Sequence, residues 1–311
     1  MPENALPNEL LESTAARDRT ARTEIVRFDE SSSDTLQDDV AIEEPLEMQL
    51  AYGSREAEQV KSISVTMRTP GHDFELAAGF LMTEGIVDDS NNIVDIAYVS
   101  HVPASTVARG EDDPILPYQP ERNVVRITLA PDVTVSLANL ERNFYTTSSC
   151  GICGKASLLA LRAVCPARSV NCFQVAAEVL YSLSATLRTA QAVFDKTGGL
   201  HAAGLFDDHG FLQAIREDVG RHNAVDKLLG AEFLADRTPL RNRLLFLSGR
   251  ASFELLQKSL MAGLPMVVSV GAPSSLAVQV AKEFDITLVG FLRHDHFNVY
   301  HGANHIFQSH V

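Results

Sequence analysis

From residue 44 onward apolar and polar side chains alternate: Leu46, Met48 and Leu50 fall on one side of the chain, and Ile63, Val65 and Met67 repeat the period. A repeat of two is that of half-buried strands, so a small sheet begins here. The period then lengthens. Arg68-Thr69-Pro70-Gly71-His72 carries a turn, Asp73 and Glu75 give an acidic start, and Gly85 follows the last apolar position. This predicts a capped helix of about three turns. Residues 93–99 and 124–129 return to strand on either side of an acidic, proline-containing surface loop at 111–120. Before residue 41 no such pattern holds, and Ser31-Ser32-Ser33-Asp34 and Asp38-Asp39 continue a polar composition. Residues 1–40 are therefore expected to be a mobile polar arm.

In the second half, Leu158, Leu161 and Val164 predict a short helix, and Val175, Val179, Leu183 and Leu187 recur every four residues along a longer one that ends at Thr197-Gly198-Gly199. Residues 200–206 and 211–217 flank Asp207-Asp208-His209-Gly210, a hairpin signature, and 220–229 is helical in pattern. Residues 244–248, 266–270 and 286–292 are short apolar runs separated by the helical sets Leu255, Leu256, Leu260 and Leu276, Val280, Phe284. Strand, helix, strand, helix, strand with right-handed crossovers implies parallel strands covered by helices. Residues 297–300 add an edge strand before a polar, histidine-containing tail. The expected class is α/β, with a smaller α+β domain at 41–145 and the main domain at 146–311.

Composition narrows the partners. With 311 residues, 45% of them apolar, the chain builds a core without staples. Its formal charge of −14 opposes general attraction to nucleic acid or anionic membrane, so an anionic ligand needs specific groups to hold it. No apolar run is long enough to span a bilayer. Four cysteines without an apolar leader point to a reducing, cytoplasmic setting.

The chemistry centres on Thr146-Thr147-Ser148-Ser149-Cys150-Gly151-Ile152-Cys153-Gly154-Lys155. Two thiols three positions apart sit among small residues directly before an apolar helical run. With a helix starting near Gly154, its positive end and the Lys155 ammonium both favour thiolate. Three chemistries use such a pair. A zinc knuckle would recruit Cys165 and Cys172, whose wide spacing suits it poorly. Thiol–disulfide exchange and sulfur carriage as a persulfide are left even by spacing alone. Cys165 and Cys172, in apolar surroundings, are expected to be inert core residues.

Two later loops suit an anion. Ser248-Gly249-Arg250-Ala251-Ser252 and Gly271-Ala272-Pro273-Ser274-Ser275 each leave a strand and open a helix. Helix-start amides and a fixed guanidinium at the carboxyl ends of parallel strands suit phosphate or pyrophosphate. Arg216 to Lys227 is dense in polar groups; capping and ion pairs would explain Asp218, Arg221 and Asp226, whereas His222 and Asn223 suit orientation of a substrate. His201 is either a base or a hydrogen-bonded core residue. The irregularly spaced histidines from His294 to His310 support no metal site.

Arg68-Thr69-Pro70-Gly71, Cys150-Gly151-Ile152-Cys153-Gly154-Lys155, Arg216 to Lys227, Leu247-Ser248-Gly249-Arg250, Gly271-Ala272-Pro273-Ser274 and Phe291-Leu292-Arg293, in that order, resemble the FdhD family of sulfurtransferases that activate formate dehydrogenase. The resemblance implies a cytidine-deaminase-like mixed sheet flanked by helices, and a homodimer. It implies sulfur taken from a cysteine desulfurase and passed to the molybdenum bis(molybdopterin guanine dinucleotide) cofactor destined for the formate dehydrogenase catalytic subunit. Cys150 would carry the persulfide and Cys153 would assist. Ser248, Gly249, Arg250, Ser252, Gly271, Ser274, Ser275 and His222, with Phe291, Leu292, Arg293, His294, Asp295 and His296, would hold the guanine nucleotide halves. No directly bound metal is implied. The deaminase zinc pattern is missing: His201 is not followed two residues later by Glu, and no Pro-Cys-x-x-Cys lies downstream of it. The alternative is a non-catalytic chaperone that holds the cofactor.

Overall fold

The computed structural model describes residues 19–54, 56–99, 122–131, 133, 135, 161–162, 165 and 171–308. The Cys150–Cys153 pair lies outside the described residues, as do most of the expected helix around Leu158 and the acidic loop at 111–120.

Four strands, β3 (Glu44–Tyr52), β4 (Gln59–Arg68), β5 (Ile93–Tyr98) and β6 (Val124–Leu129), form a sheet of order β4-β3-β6-β5. Helix α1 (Asp73–Thr83) connects β4 to β5 and packs on β6. The alternation in β4 does not hold as the sequence predicts. Gln49 pairs with Ser62 and Met48 with Ser64, so Ile63 is an extra residue that reverses the phase of the strand. Ile63 is buried, Val65 and Met67 face solvent, and Arg68 turns inward.

The main sheet has six strands in the order β13-β12-β11-β10-β8-β9. A hairpin, β8 (His201–Phe206) and β9 (Leu212–Asp218), lies antiparallel beside β10 (Leu244–Leu247). β10, β11 (Met266–Ser269) and β12 (Thr287–Gly290) are parallel, and β13 (Asn298–His301) closes the far edge antiparallel to β12. Every residue of β10, β11 and β12 is buried, which is why these strands read as unbroken apolar runs. Successive side chains serve opposite faces. Ala203, Leu205, Leu245, Leu247 and Val267 join the core under α4 (Arg221–Leu234), α5 (Phe253–Met261) and α6 (Ser275–Glu283). Ala202, Phe206, Leu244, Phe246, Met266 and Val268 pack on the other face against Leu180, Leu183 and Leu187 of α2 (Ala177–Ala190). A short helix, α3 (Ala192–Thr197), follows α2 and leads into β8 through Gly198 and Gly199.

One core cluster draws on both sheets, joining Leu46, Leu50 and Ile127 to Leu228, Leu255 and Val267. Its centre is the packing of α1 on α4, where backbones nearly touch: a Cβ on Gly79 would lie 1.9 Å from the Asp226 carbonyl oxygen, and one on Gly230 would lie 1.9 Å from that of Glu75. Helix α4 is buried almost all round. Its polar side chains therefore need internal partners. Lys227 Nζ meets Asp218 Oδ2 at 2.6 Å and donates to the Thr69 carbonyl at 2.7 Å, and Asp218 accepts from the amides of Thr69 and Gly220 and from Asn223. Asp226 pairs with Lys258, which also reaches Glu84. Burial opposes the charge on Lys258, but Asp226 and Glu84 outweigh it and raise the group above the usual lysine range.

Two further segments differ from the sequence expectation. Within the arm expected at 1–40, β1 (Thr20–Phe28) and β2 (Ser33–Ala41) form an antiparallel hairpin. Its strands are polar, but cross-strand neighbours such as Ile25 and Leu36 hold it together, and its base touches α3. The histidine-containing tail folds back: β14 (Ile306–Phe307) pairs with β7 (Val175–Ala176), and His305 is buried. Cys172, expected in the core, is exposed because it sits in a coil outside any helix, while Cys165 is half-buried with Sγ 4.0 Å from Met261 Sδ.

Candidate functional site

The carboxyl ends of β10, β11 and β12 point the same way, so the loops that follow them share one rim of the sheet. Ser248 to Ser252 leads into α5 with Ser252 as N-cap; Val270 to Ser274 leads into α6, whose Ala277 amide donates to the Ser274 hydroxyl at 3.2 Å. Residues 291–296 cross the same rim after β12. Because β8 runs antiparallel and β9 returns, His201 and the start of α4 arrive there too.

The loops are bonded to each other. The Gly271 amide donates to the Gly249 carbonyl at 2.9 Å, and the Ser274 amide to that of Ala251 at 2.9 Å. A Cβ on Gly271 would lie 2.9 Å from Gly249 O, so glycine here permits the approach of two backbones. These two amides are therefore engaged by protein, and the cationic group best placed toward solvent is the exposed Arg250, whose stem lies against Gly271. In the third loop Phe291 adopts a left-handed backbone (φ 52°) and is exposed, whereas Leu292 is buried in the core with its amide on Ser269 O. Arg293 donates to the Val270 and Leu292 carbonyls, bracing the loop, while His294, Asp295 and His296 are exposed.

His201 lies against Gly249, and His222 lies at the start of α4 beside the N-cap of α5. His222 Nε2 is 3.4 Å from Ser252 Oγ and 3.9 Å from Glu254 Oε2. Burial, reinforced by Arg221 and Lys258, lowers its pKa to about 4, so it is a neutral hydrogen-bonding group at neutral pH. Burial likewise lowers His201, with Arg221 adding to the effect. Of the polar segment 216–227, Asp218, Asn223 and Lys227 belong to the buried network that locks α4 to the Arg68-Thr69-Pro70-Gly71 turn, while Asp226 ties α4 to Thr83 of α1 and to Lys258 of α5. Arg216 leaves it for Glu75, which is desolvated yet held at about 2 by Arg216 and His72.

Sequence reasoning missed the other wall of this rim. A cleft of about 430 Å³ lies between α2, α3 and the sheet, lined by Leu187, Arg188, Gln191, Phe194, Gly199, His201, Phe246, Ser248 and others. Its only signal in the chain was Gly198-Gly199 before a strand, which reads equally as a helix stop.

Residues 41–307 match the sequence profile of the FdhD/NarQ family. The chain belongs to that family. It is 46% identical over 289 residues to the sulfur carrier protein FdhD of Streptomyces coelicolor, covering 92% of this chain and 95% of the relative. It is 35% identical to the protein of the same name from Saccharolobus solfataricus, covering 93% and 99% respectively. The crystal structure of a formate dehydrogenase accessory protein from Desulfotalea psychrophila superposes with a TM-score of 0.66 at 22% identity, over 93% of this chain and 99% of that one, so the two share a fold across nearly the whole molecule. Among the described residues no helix is long and apolar enough to cross a membrane.

Proposed function

We propose that this protein is a sulfur carrier for the maturation of formate dehydrogenase. The observation that carries the reading is its 46% identity to relatives named sulfur carrier protein FdhD across almost the full length of both chains. Cys150 accepts sulfur from a cysteine desulfurase: its thiolate attacks the outer sulfur of the donor persulfide, one S–S bond forms as another breaks, and the donor departs as a thiolate with no net redox change. Cys153 assists. The sulfur then passes to molybdenum bis(molybdopterin guanine dinucleotide), the substrate, on its way to the formate dehydrogenase catalytic subunit. Support for a polyanionic substrate comes from the rim, where Arg250 and the starts of α5 and α6 meet. The cytidine-deaminase-like arrangement, the homodimer and the cytoplasmic setting belong to the same reading, the first supported by a mixed sheet with helices on both faces.

Incubation with a cysteine desulfurase and cysteine, followed by mass spectrometry of peptides, is expected to find one added sulfur on Cys150 or Cys153. Sulfur found only at Cys165 or Cys172 defeats the reading. If Cys150→Ala still activates formate dehydrogenase in a strain lacking the native protein, the role is that of a holding chaperone instead. Separately, Arg250→Ala is expected to weaken guanine nucleotide binding severalfold or more, as loss of a charge-assisted contact does. An unchanged titration curve removes Arg250 from the site.

A further inference from the structure

The β1–β2 hairpin forms a two-stranded sheet of its own. Its base is rooted in the body: the Ile42 amide donates to the Arg19 carbonyl at 2.9 Å, the Arg19 guanidinium lies against Gly71, and Ala41 sits beside Gly199. Beyond that base it stands in solvent, and from Arg22 to Asp38 every residue but Ile25 is exposed. Phe28 is 77% exposed and Val26 55%. Alternation places these two on one face of the ribbon and Ile25, Leu36 and Val40 on the other. A lone two-stranded hairpin is marginal in water, and both of its edges present unpaired backbone groups. Its tip is nevertheless preformed. The Asp29 carboxylate accepts from the amides of Ser31 and Ser32 and from the Ser32 hydroxyl, each at 2.8 Å, and the Asp29 amide donates to the Ser32 carbonyl at 3.0 Å. A fixed turn that holds an aromatic side chain out in water gives up little freedom on binding, as a docking anchor requires.

Charge describes what covers it. Residues 20–41 hold six carboxylates and two guanidiniums. A second copy would bring the same negative excess on a chain of formal charge −14, so repulsion opposes self-pairing through this element. The complementary surface is basic with an apolar floor. The hairpin also precedes residues 41–307, which match the family profile, and so stands outside the part that defines the family. Its base meets α3, which lines the cleft beside Ser248 at the rim. A protein that receives a multiply phosphorylated cargo from that rim must carry positive charge around its own entrance, whereas a cysteine desulfurase, which hands over a neutral sulfur atom, has no such need.

We propose that the β1–β2 hairpin is the docking element for the formate dehydrogenase catalytic subunit, seating Phe28 and Val26 in a basic, apolar-floored groove near that subunit's cofactor entrance. The inference rests on the sulfur-carrier reading above, which supplies the anionic cargo and its receiver, and adds the surface by which the receiver is held.

Full-length protein titrated against the purified, cofactor-free catalytic subunit, and separately against the cysteine desulfurase, tests this. Phe28→Ser is expected to weaken binding to the catalytic subunit by about tenfold, as loss of an interface anchor does. Glu30→Lys should weaken it severalfold at low salt and less at high salt, because screening removes the repulsion it introduces. Both side chains are exposed, so neither variant should shift the thermal midpoint, and both should bind the desulfurase and load sulfur as wild type does. Catalytic-subunit binding unchanged in both variants, or a wild type that loads sulfur but does not bind the subunit, overturns the inference and leaves the sulfur-carrier reading standing. Weakened binding to the desulfurase instead assigns the hairpin to the donor, and a Phe28→Ser protein that sediments as a smaller species than wild type assigns it to a second copy; either result also overturns it. Wild type that takes up no sulfur removes the reading and the inference together.

Discussion

Lys227→Met is expected to destabilise the protein by about 3–5 kcal/mol, measured as the free energy of urea unfolding. The two charged side chains are sealed from water, at 1% and 0% exposure for Lys227 and Asp218. Burial itself pushes the Lys227 ammonium below its usual range, against the pull of Asp218. Methionine fills much the same volume, so packing changes little; what remains is a carboxylate in the interior without its counter-ion and a Thr69 carbonyl without its donor. The amides of Thr69 and Gly220 and the Asn223 side chain still contact Asp218, which keeps the loss within the lower part of that range. Asp218→Asn introduced together with Lys227→Met should cost less than the two single changes added together, and strict additivity would show that the pair is not coupled.

Gly230→Ala is expected to lower stability by roughly 2–4 kcal/mol even though alanine is the better helix former by about 1 kcal/mol. The added carbon would fall 1.9 Å from the Glu75 carbonyl oxygen and 2.6 Å from the Gly79 nitrogen. Both obstacles are backbone, so no rotamer change relieves them, and α1 must move off α4. Gly79→Ala meets the Asp226 carbonyl from the other side and should behave alike. An unfolding midpoint equal to or above that of wild type would mean that the helices do not cross at these glycines.

The sequence displayed some of this plainly and hid the rest for physical reasons. β10, β11 and β12 are covered on both faces, so burial alone makes them continuous apolar runs, and α5 and α6 between them carry a one-sided stripe. That much was legible, including the parallel direction and the rim where the loops gather. The β1–β2 hairpin was not, because its support comes from partners across the ladder, Val26 against Thr35 and Ile25 against Leu36, rather than from any period along one strand. Val65 and Met67 misled because a bulge at Ile63 is a property of two strands together. Lys227 and Lys258 look like surface charges until their carboxylates arrive from Asp218 and Asp226. Gln191 gave no warning at all: an amide after a helix is ordinary until the wall that encloses it is in place. The glycine-rich loops were recognised, but Gly271 serves first as the contact point of two backbones.

The meeting of α1 with α4 also sets a timetable for synthesis. Thr69 and its partner Lys227 are 158 positions apart. At ribosomal speeds of roughly 5–20 residues per second, the interval between their emergence lasts on the order of 8–30 s. Through that interval Leu76, Leu81 and the inward face of the first sheet have no second half to pack against. A nascent chain in that condition is a client for holding chaperones, and slow codons placed between the two helices would prolong its exposure rather than help it fold.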